Sequence, residues 1–267
     1  MNLPFLKSEP ETVQLGLCTM YPAPNILERI GLDWDWIWID AQHGELDFRD
    51  VAALVRVCHF IQRPALVRVP AHDAGWIGKV LDTGAAGVIV PMVESVEEAR
   101  TLVRAAKFPP VGNRSYGGRR VIDLLGRSYY ATANRDTSLI LQLESSEACA
   151  LAEEIAAIEG VDGLFLGPDD LLIRKGIDVD APKDAATVGR ELTLVTEACR
   201  KYGKRSFCVG ASDVSMQLAL ETGCQYVVGG SDVGFVAQGS GAAAGKMRRF
   251  FAQSGRPTAQ AGENALY

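Results

Sequence analysis

The sequence predicts an α/β fold, a TIM-type (β/α)₈ barrel that occupies residues 1–267 as a single domain. Three observations support this prediction. Short runs rich in Val, Ile and Leu alternate with helix-like segments, which is the rhythm of βα units. Eight such runs occur, whereas a doubly wound sheet more commonly has about five or six strands. The length of 267 residues also fits the roughly 250 residues that this barrel needs.

The predicted strands are nearly continuous in apolar content, as strands covered on both faces must be. They span residues 14–20, 36–41, 64–69, 87–93, 139–145, 163–168, 205–211 and 226–230. Between them, Ser95 is a candidate N-cap with a carboxylate three residues later, and its helix should run towards Lys107. A glycine closes several helical stretches, as a residue with positive φ often does; these are Gly84, Gly160, Gly203 and Gly223.

Two segments depart from this rhythm. Residues 108–138 form a connection far longer than the usual ~2–6 residues. We expect this connection to reach from the amino end of the barrel to its mouth, with a helix near residues 121–131. The polar tail from about residue 252 is expected to be mobile or to lie on a neighbouring subunit.

Composition excludes several classes of protein. A net charge of −6 and a pI near 5.2 offer no cationic surface for nucleic acid. No apolar stretch approaches the ~20 residues of a membrane span, and the first residues lack the apolar core of a signal peptide. The six cysteines are scattered without metal-binding spacing, which indicates buried thiols. We therefore expect a cytoplasmic protein with neither a nucleic acid nor a membrane partner.

The active site of such a barrel lies at the carboxyl ends of the strands. Gln142 and Glu144 are two positions apart and should both face the interior, whereas Leu141 and Leu143 should face the helices. A buried carboxylate needs a cation. Glu144 with Asp170 therefore predicts either a divalent metal site or a structural salt bridge.

Two further side chains attract attention at the strand ends. His43 follows Asp40 by three residues, so the carboxylate can orient the imidazole of a general acid or base; the alternative is a solvated loop histidine. Arg68 lies in an apolar strand and needs an anion, such as a substrate carboxylate or an enolate oxygen. His59 and His72 are interpreted as structural. Asp82 ends a helix and by itself indicates only a solvated surface acid.

Other chemistries are disfavoured. No lysine occurs in the predicted strands, which argues against a Schiff-base aldolase. Phosphate-binding Gly-rich loops and the G-x-S-x-G nucleophile motif are absent from the sequence.

Five motifs in order, at residues 40–44, 87–95, 109–117, 141–145 and 160–171, resemble the HpcH/HpaI family of class II pyruvate aldolases. That family includes 4-hydroxy-2-oxoheptanedioate and 2-keto-3-deoxy sugar-acid aldolases. The resemblance covers most of the chain and implies reversible cleavage of a 4-hydroxy-2-oxo acid to pyruvate and an aldehyde. Alternatives are oxaloacetate decarboxylation, a citrate- or malyl-thioester-type lyase, and a non-catalytic protein that binds a keto acid.

The resemblance also implies roles for individual residues. Glu144 and Asp170 would hold Mg²⁺, Mn²⁺ or Co²⁺, which pyruvate would chelate through its keto and carboxylate oxygens. Arg68 would stabilise the enolate oxygen, and His43, oriented by Asp40, would move protons. Asp82 would lie near the mouth, contributed by the same or by a neighbouring subunit. The implied substrate-binding residues are Gln142, Gly167, Pro168, Asp169, Ser145 and Tyr116.

Family members assemble as hexamers through their C-terminal helices, so a homo-oligomer is expected, with residues 232–251 as a candidate interface. Three motifs depart from the family pattern. Gln42 replaces an acid, Asp169 and Leu172 alter the Gly-Pro-Ala-Asp-Leu-Ser turn, and the arginine loop reads Arg-Ser-Tyr-Gly.

Overall fold

A computed structural model describes residues 12–256 and 258–259 of the chain. Eight parallel strands, β1 to β8, pair in sequence order and close into a barrel, because β8 also pairs with β1. The predicted fold class is therefore confirmed. Residues 1–11, 257 and 260–267, which include most of the predicted tail, lie outside the described residues.

The strands coincide with the predicted ones but several end earlier. They are β1 Gln14–Thr19, β2 Trp36–Asp40, β3 Ala65–Arg68, β4 Gly87–Val90, β5 Ser138–Leu143, β6 Gly163–Leu166, β7 Arg205–Val209 and β8 Tyr226–Ser231. Strand β4 stops before Pro91, which has no N–H for the ladder. Strand β6 stops before Gly167 and Pro168, where a helix begins.

Twelve helices occur in the described part of the chain. They are α1 Pro24–Ile30, α2 Phe48–Phe60, α3 Ala74–Asp82, α4 Val96–Ala106, α5 Arg119–Leu125, α6 Tyr130–Asp136, α7 Ser146–Ala150, α8 Ala152–Ala156, α9 Pro168–Arg174, α10 Gly189–Tyr202, α11 Asp213–Thr222 and α12 Asp232–Gln253. The predicted cap of α4 is confirmed, since the Ser95 hydroxyl accepts a hydrogen bond from the Glu98 N–H at 3.2 Å. The four predicted closing glycines, from Gly84 to Gly223, all have positive φ.

The interior of the barrel is filled by a layer of aromatic side chains. The rings of Phe207 and Tyr226 stack with centroids 4.5 Å apart, and Trp36 packs edge-on against Phe207 at 5.5 Å. Leu141 and Leu143 belong instead to the apolar layer between sheet and helices, as predicted. Because the aromatic layer fills the barrel, a site for ligands can form only at its ends.

The connection over residues 108–138 does not reach the mouth, so this prediction is wrong. It contains α5, a 3₁₀ turn at Arg127–Tyr129 and α6, and it packs at the amino end of the barrel. A small apolar cluster that includes Phe108, Val121 and Tyr129 anchors it. Arg120 donates to the carbonyl of Thr83, at the end of α3, and this contact fixes the segment beside the ends of the helices.

His59 has the structural role predicted for it. Its Nε2 is 2.9 Å from the carbonyl oxygen of Gly84, and its Nδ1 is 2.8 Å from Nη2 of Arg120. Burial, reinforced by the charge of Arg120, lowers the pKa of His59 to about 4. The imidazole is therefore neutral near pH 7, donating to Gly84 and accepting from Arg120.

Two global features bear on the cellular setting. All six cysteines are buried free thiols, as the sequence indicated. Among the described helices, none combines the length and the apolar character that crossing a bilayer requires.

Candidate active site

Four polar side chains converge inside the barrel at the carboxyl ends of the strands. Asp40 ends β2, Arg68 ends β3, Gln142 lies in β5 and Glu144 follows it. All four are almost fully buried. Strand alternation explains this arrangement, because Trp38, Leu66 and Ile140, which lie two positions before Asp40, Arg68 and Gln142, belong to the interior cluster.

Glu144 is a buried carboxyl group that has no cationic hydrogen-bond partner among residues 12–256 and 258–259. Its Oε2 accepts a hydrogen bond from the backbone N–H of Met92 at 2.7 Å, and the residue is only 2% exposed. Burial raises the pKa of Glu144 to about 7; the Met92 N–H opposes this rise, and the charge of Asp170 adds to it. A positive ion at this point would relieve both the burial penalty and the repulsion.

Asp170 lies close enough to Glu144 for this repulsion because Gly167 lets helix α9 approach strand β5. A Cβ atom at Gly167 would come within 2.5 Å of Oε1 of Glu144 and 2.7 Å of Nε2 of Gln142. The absence of a side chain at Gly167 is thus required for the close approach.

The donor set at this point fits a hard divalent cation. Two carboxylates suffice when water and substrate complete the coordination, as is usual for Mg²⁺. No cluster of three or more metal-ligating side chains occurs in residues 12–256 and 258–259, so a closed structural metal site is not present there. The buried atoms Oε1 of Gln42 and Nε1 of Trp38 have no hydrogen-bond partner in the described part of the chain, and they remain for water or substrate.

Arg68 is held by Asp40 rather than free to bind a ligand with its whole guanidinium group. Nε and Nη2 of Arg68 donate to the two Asp40 oxygens at 2.8 and 2.6 Å. The guanidinium carbon lies 4.6 Å from the centre of the Trp38 ring, and Nη1 is 3.4 Å from Oε1 of Gln142. Nη1 is thus the part of Arg68 with capacity for an additional acceptor.

Asp40 contacts His43 differently from what we predicted. Its Oδ1 accepts the backbone N–H groups of Gln42 and His43 at 3.1 and 3.3 Å, while Arg68 engages both oxygens. Among the described residues the imidazole of His43 donates no hydrogen bond to Asp40, so the expected orientation of the ring by Asp40 is corrected. Asp40 instead shapes the turn that carries His43, which is exposed at the mouth.

The structure places two predicted residues away from the mouth. Asp82 ends α3 at the amino end of the barrel, where Nη2 of Arg114 donates to it at 2.8 Å. Tyr116 lies at the same end, stacked on Tyr129 with centroids 5.6 Å apart. Helices run antiparallel to the strands that precede them, which puts the end of α3 opposite the active site. Within one chain, neither residue is placed at the mouth.

Ser145 is a helix cap, which corrects its predicted role in substrate binding. Its hydroxyl oxygen accepts the N–H of Ala148 at 3.0 Å and its O–H donates to Glu94 at 2.7 Å. Both hydrogen bonds are internal, and the residue is 1% exposed.

The remaining predicted residues begin α9. Gly167 is the N-cap and offers no side-chain acceptor, and Pro168 has no N–H. The N–H groups of Asp169 and Asp170 are therefore left for another acceptor. The Asp169 side chain is largely exposed and pairs with Lys183 at 3.1 Å.

Met92 is a residue of this site that the sequence reasoning missed. Its φ of 56° turns its N–H towards Glu144. Its sulfur lies 3.7 Å from Nη2 of Arg174, which pairs with Glu94 at 2.9 Å. Glycine, asparagine and aspartate are the usual signals of positive φ, so a methionine gives none.

Met92→Ile should weaken Mn²⁺ binding roughly tenfold, because a β-branched residue at positive φ costs about 1–3 kcal/mol and displaces the N–H. Met92→Gly, the matched control, tolerates this φ and should bind within about threefold of wild type. Isothermal titration calorimetry measures both. Equal affinities of the two variants would show that backbone conformation at Met92 does not position Glu144.

Comparisons with known proteins agree with the geometry of this site. A family model described as HpcH/HpaI aldolase/citrate lyase matches residues 23–238. Over 248 residues the chain is 34% identical to a 4-hydroxy-2-oxovalerate aldolase of Novosphingobium aromaticivorans, covering 91% of this chain and 93% of that protein. Over 224 residues it is also 34% identical to a hydroxypyruvate/pyruvate aldolase of Roseovarius nubinhibens, covering 81% and 84%.

Solved structures agree. The crystal structure of an HpcH/HpaI aldolase/citrate lyase family protein from Burkholderia cenocepacia J2315 superimposes with a TM-score of 0.79 at 29% identity. The superposition covers 89% of this chain and 95% of that one. The chain therefore belongs to the HpcH/HpaI aldolase/citrate lyase family and is a carbon–carbon lyase of the aldolase type.

Proposed function

We propose that the protein reversibly cleaves a 4-hydroxy-2-oxo acid into pyruvate and an aldehyde, with a divalent metal ion bound by Glu144 and Asp170. The observation that carries this proposal is the buried Glu144 carboxyl group, whose pKa is raised to about 7 beside Asp170. Arg68 lies in the same interior layer, so positive charge can act on one substrate oxygen. This proposal depends on family membership for the reaction type and on the geometry for the residues.

The bound metal, Mg²⁺, Mn²⁺ or Co²⁺, would supply the positive charge that stabilises a pyruvate enolate. Glu144 and Asp170 are the protein ligands in this proposal. Neither is neutralised by a direct ion pair with an arginine in the described residues.

The start of α9 would bind the substrate carboxylate. The N–H groups of Asp169 and Asp170 are available for a carboxylate, and the dipole at a helix start favours an anion. Gly167 leaves the space, and Gln142 adds a side-chain amide beside it. Pro168 fixes the first helical residue, which holds these N–H groups in place.

Arg68 would stabilise the developing negative charge, and His43 would transfer protons. The bidentate pair with Asp40 fixes the plane of the Arg68 guanidinium, and its Nη1 would donate to the keto oxygen as negative charge develops there. His43, exposed beside this layer, would accept the proton of the 4-hydroxyl group through water and return it in the synthetic direction.

Pyruvate release from a panel of 4-hydroxy-2-oxo acids tests the proposal. We expect turnover that EDTA abolishes and added Mn²⁺ restores. Oxaloacetate and a malyl thioester belong in the same panel, because a preference for either would replace the aldol reaction. Turnover that resists chelation would contradict the metal mechanism.

Metal affinity should depend on pH in a defined direction. The Glu144 carboxyl group has a pKa raised from its ordinary 4.5 to about 7, so Mn²⁺ must displace a proton below pH 7. We expect the affinity to rise by up to about tenfold per unit between pH 5 and 7 and to level off above pH 7. Calorimetric titrations of Mn²⁺ across this range measure it. An affinity independent of pH would contradict the assignment of Glu144.

The stability of the metal-free protein should depend on pH in the opposite direction, decreasing where the metal affinity increases. The Glu144 carboxyl group binds its proton more firmly in the folded state than in the unfolded state. Its contribution to the free energy of unfolding is therefore fully present below about pH 4.5. It is lost as the pH rises towards 7. Glu144→Gln should remove this part of the pH dependence, which thermal denaturation with and without the substitution can isolate.

We also infer a homo-oligomer, a hexamer by family resemblance, in a reducing compartment such as the cytoplasm. Helix α12 is largely exposed after Asp232 and presents Phe235, Met247, Phe250 and Phe251 to solvent. Asp82 and Tyr116 would take part in catalysis only at the active site of a neighbouring subunit. Light scattering of the protein in solution tests the assembly, and a monomer would contradict it.

A further inference from the structure

A cavity lies at the amino end of the barrel, opposite the candidate active site. Its volume is about 760 Å³, and the first residues of β7 and β8, including Arg205, Ser206 and Tyr226, line it. A cavity of this size holds a small metabolite. The amino end of such a barrel ordinarily serves stability, so a polar cavity there calls for an explanation.

The lining of this cavity is cationic. Arg135, Arg200, Lys204 and Arg205 contribute to it. Its one carboxylate, Asp162, is already engaged, because Nζ of the buried Lys107 lies 2.6 Å from it. This concentration of positive charge stands out in a chain whose net charge is −6.

Two arginines of the cavity make only long hydrogen bonds through their Nη atoms within the described part of the chain. Nε of Arg205 is buried without a hydrogen-bond partner in the described part of the chain, and its Nη1 reaches only Ser138 at 3.4 Å. Nη2 of Arg200 makes a similarly long contact of 3.4 Å with the carbonyl of Thr222. Arg135 is paired with Asp136 at the rim through Nε, which leaves its other donors available. A buried donor without an acceptor is unfavourable, and an anion bound beside it would supply the missing acceptor.

The pKa of the neighbouring Lys107 reflects the same positive potential. Burial lowers the pKa of Lys107, and the charges of Arg205 and Lys204 lower it further against the opposing effect of Asp162. The positive charge therefore acts within the protein as well as at its surface.

We propose that this cavity binds the phosphate group of a small phosphorylated molecule. Planar guanidinium groups match phosphate oxygens, and a dianion at neutral pH suits several nearby cations. A groove of about 470 Å³ between α10 and α11 shares Thr196 and Arg200 with the cavity and would take the rest of the ligand. The groove itself carries Glu197 and Glu221 beside Arg190, so the anionic group belongs in the cavity.

Calorimetric titration of the full-length protein with inorganic phosphate, and then with a hexose phosphate, tests the proposal at low ionic strength. We expect saturable binding of both probes, tighter for the hexose phosphate. Arg200→Gln and Arg205→Gln should each weaken it by about tenfold, as loss of a charged hydrogen-bond donor predicts. Arg190→Gln is the matched control, since Arg190 lies on the same helix as Arg200 and lines the groove alone; it should change phosphate affinity less than twofold.

Glu144→Gln separates this site from the active site. Because Glu144 lies at the other end of the barrel, the substitution should leave phosphate binding unchanged, whatever the fate of the proposed aldol reaction. Two results would overturn the proposal: no binding of either probe up to about 10 mM, or equal losses in the Arg190 and Arg200 variants. Arg200 is exposed, so its variant keeps the test valid should Arg205→Gln fail to fold.

Discussion

Replacement of Glu144 by glutamine should lower aldol turnover by about a thousandfold or more and should abolish measurable Mn²⁺ binding. Glutamine preserves the shape of the side chain and an oxygen for the Met92 N–H, so it removes mainly the negative charge. Loss of one of the two proposed carboxylate ligands would deprive the cation of half its charged protein ligands, and metal stabilisation of a developing anion is worth several kcal/mol. The folded structure should persist, because a buried group that favours its protonated form gains from being neutral.

Two measurements make this result decisive. Calorimetry with Mn²⁺ reports binding, and exchange of pyruvate methyl protons into D₂O reports enolate formation without an aldehyde. Glu147→Gln is the matched control: Glu147 is exposed at the first turn of α7, three positions away, and its variant should behave as wild type. Retention of Mn²⁺ binding by Glu144→Gln would remove the basis of the proposed function.

Substitution of Arg68 by lysine should reduce kcat by roughly 10²–10³-fold, the usual effect of removing a donor aimed at a developing oxyanion. Lysine keeps the charge but lacks the fork that binds both Asp40 oxygens at 2.8 and 2.6 Å. It also cannot bind Asp40 and keep a donor free in the same plane, whereas Arg68 binds Asp40 through Nε and Nη2 and leaves Nη1 beside Gln142 for the proposed substrate oxygen. We expect KM for the keto acid to change less than kcat, because the interaction strengthens as negative charge develops.

Arg63→Lys provides the comparison for this variant. Arg63 lies on the outside of the barrel and donates to the carbonyl of Leu32 at 2.9 Å, so its replacement should leave kinetics unchanged. Mn²⁺ affinity of Arg68→Lys should stay within about threefold of wild type, since in the described part of the chain Arg68 donates to Asp40 and Gln142 and to neither proposed ligand. A KM effect with unchanged kcat would instead assign Arg68 to uniform binding of the substrate.

The barrel was predictable because its determinants are periodic and local. Eight apolar runs, each followed by a helix, leave few topologies once parallel strands must be covered on both faces. The same periodicity predicted that Gln142 and Glu144 face the interior, since residues two apart share a face of a strand. Strand β4 ends early at Pro91, which lacks the N–H of the ladder, and β6 ends early because Pro168 begins a helix.

The rest of the site depends on tertiary contacts that periodicity does not encode. Proximity in sequence suggested that Asp40 orients the His43 ring, but the carboxylate is taken by Arg68, 28 residues away. The N–H of Met92 reaches Glu144 because Met92 has a positive φ, which a methionine in the sequence does not predict. In both cases several hydrogen-bond partners are possible for a carboxylate, and the tertiary structure determines which of them it binds.

The course of residues 108–138 was missed for a related reason. Their length allows a path to the mouth, but the Phe108 cluster and the contact from Arg120 to the end of α3 hold them at the opposite end. The placement of Tyr116 follows from this anchoring, whereas that of Asp82 follows from the direction of α3. Length sets the reach of a connection, whereas its apolar residues decide where it packs.

The space beside Gly167 has a consequence for engineering of the substrate range. A methyl group there would overlap the Glu144 and Gln142 side chains, so even the smallest enlargement would displace a proposed metal ligand and its neighbour. The Asp169 side chain, two residues later, points outwards and pairs with Lys183, so its substitution leaves the Glu144 and Gln142 side chains untouched. A mutational library aimed at new substrates should therefore keep position 167 fixed.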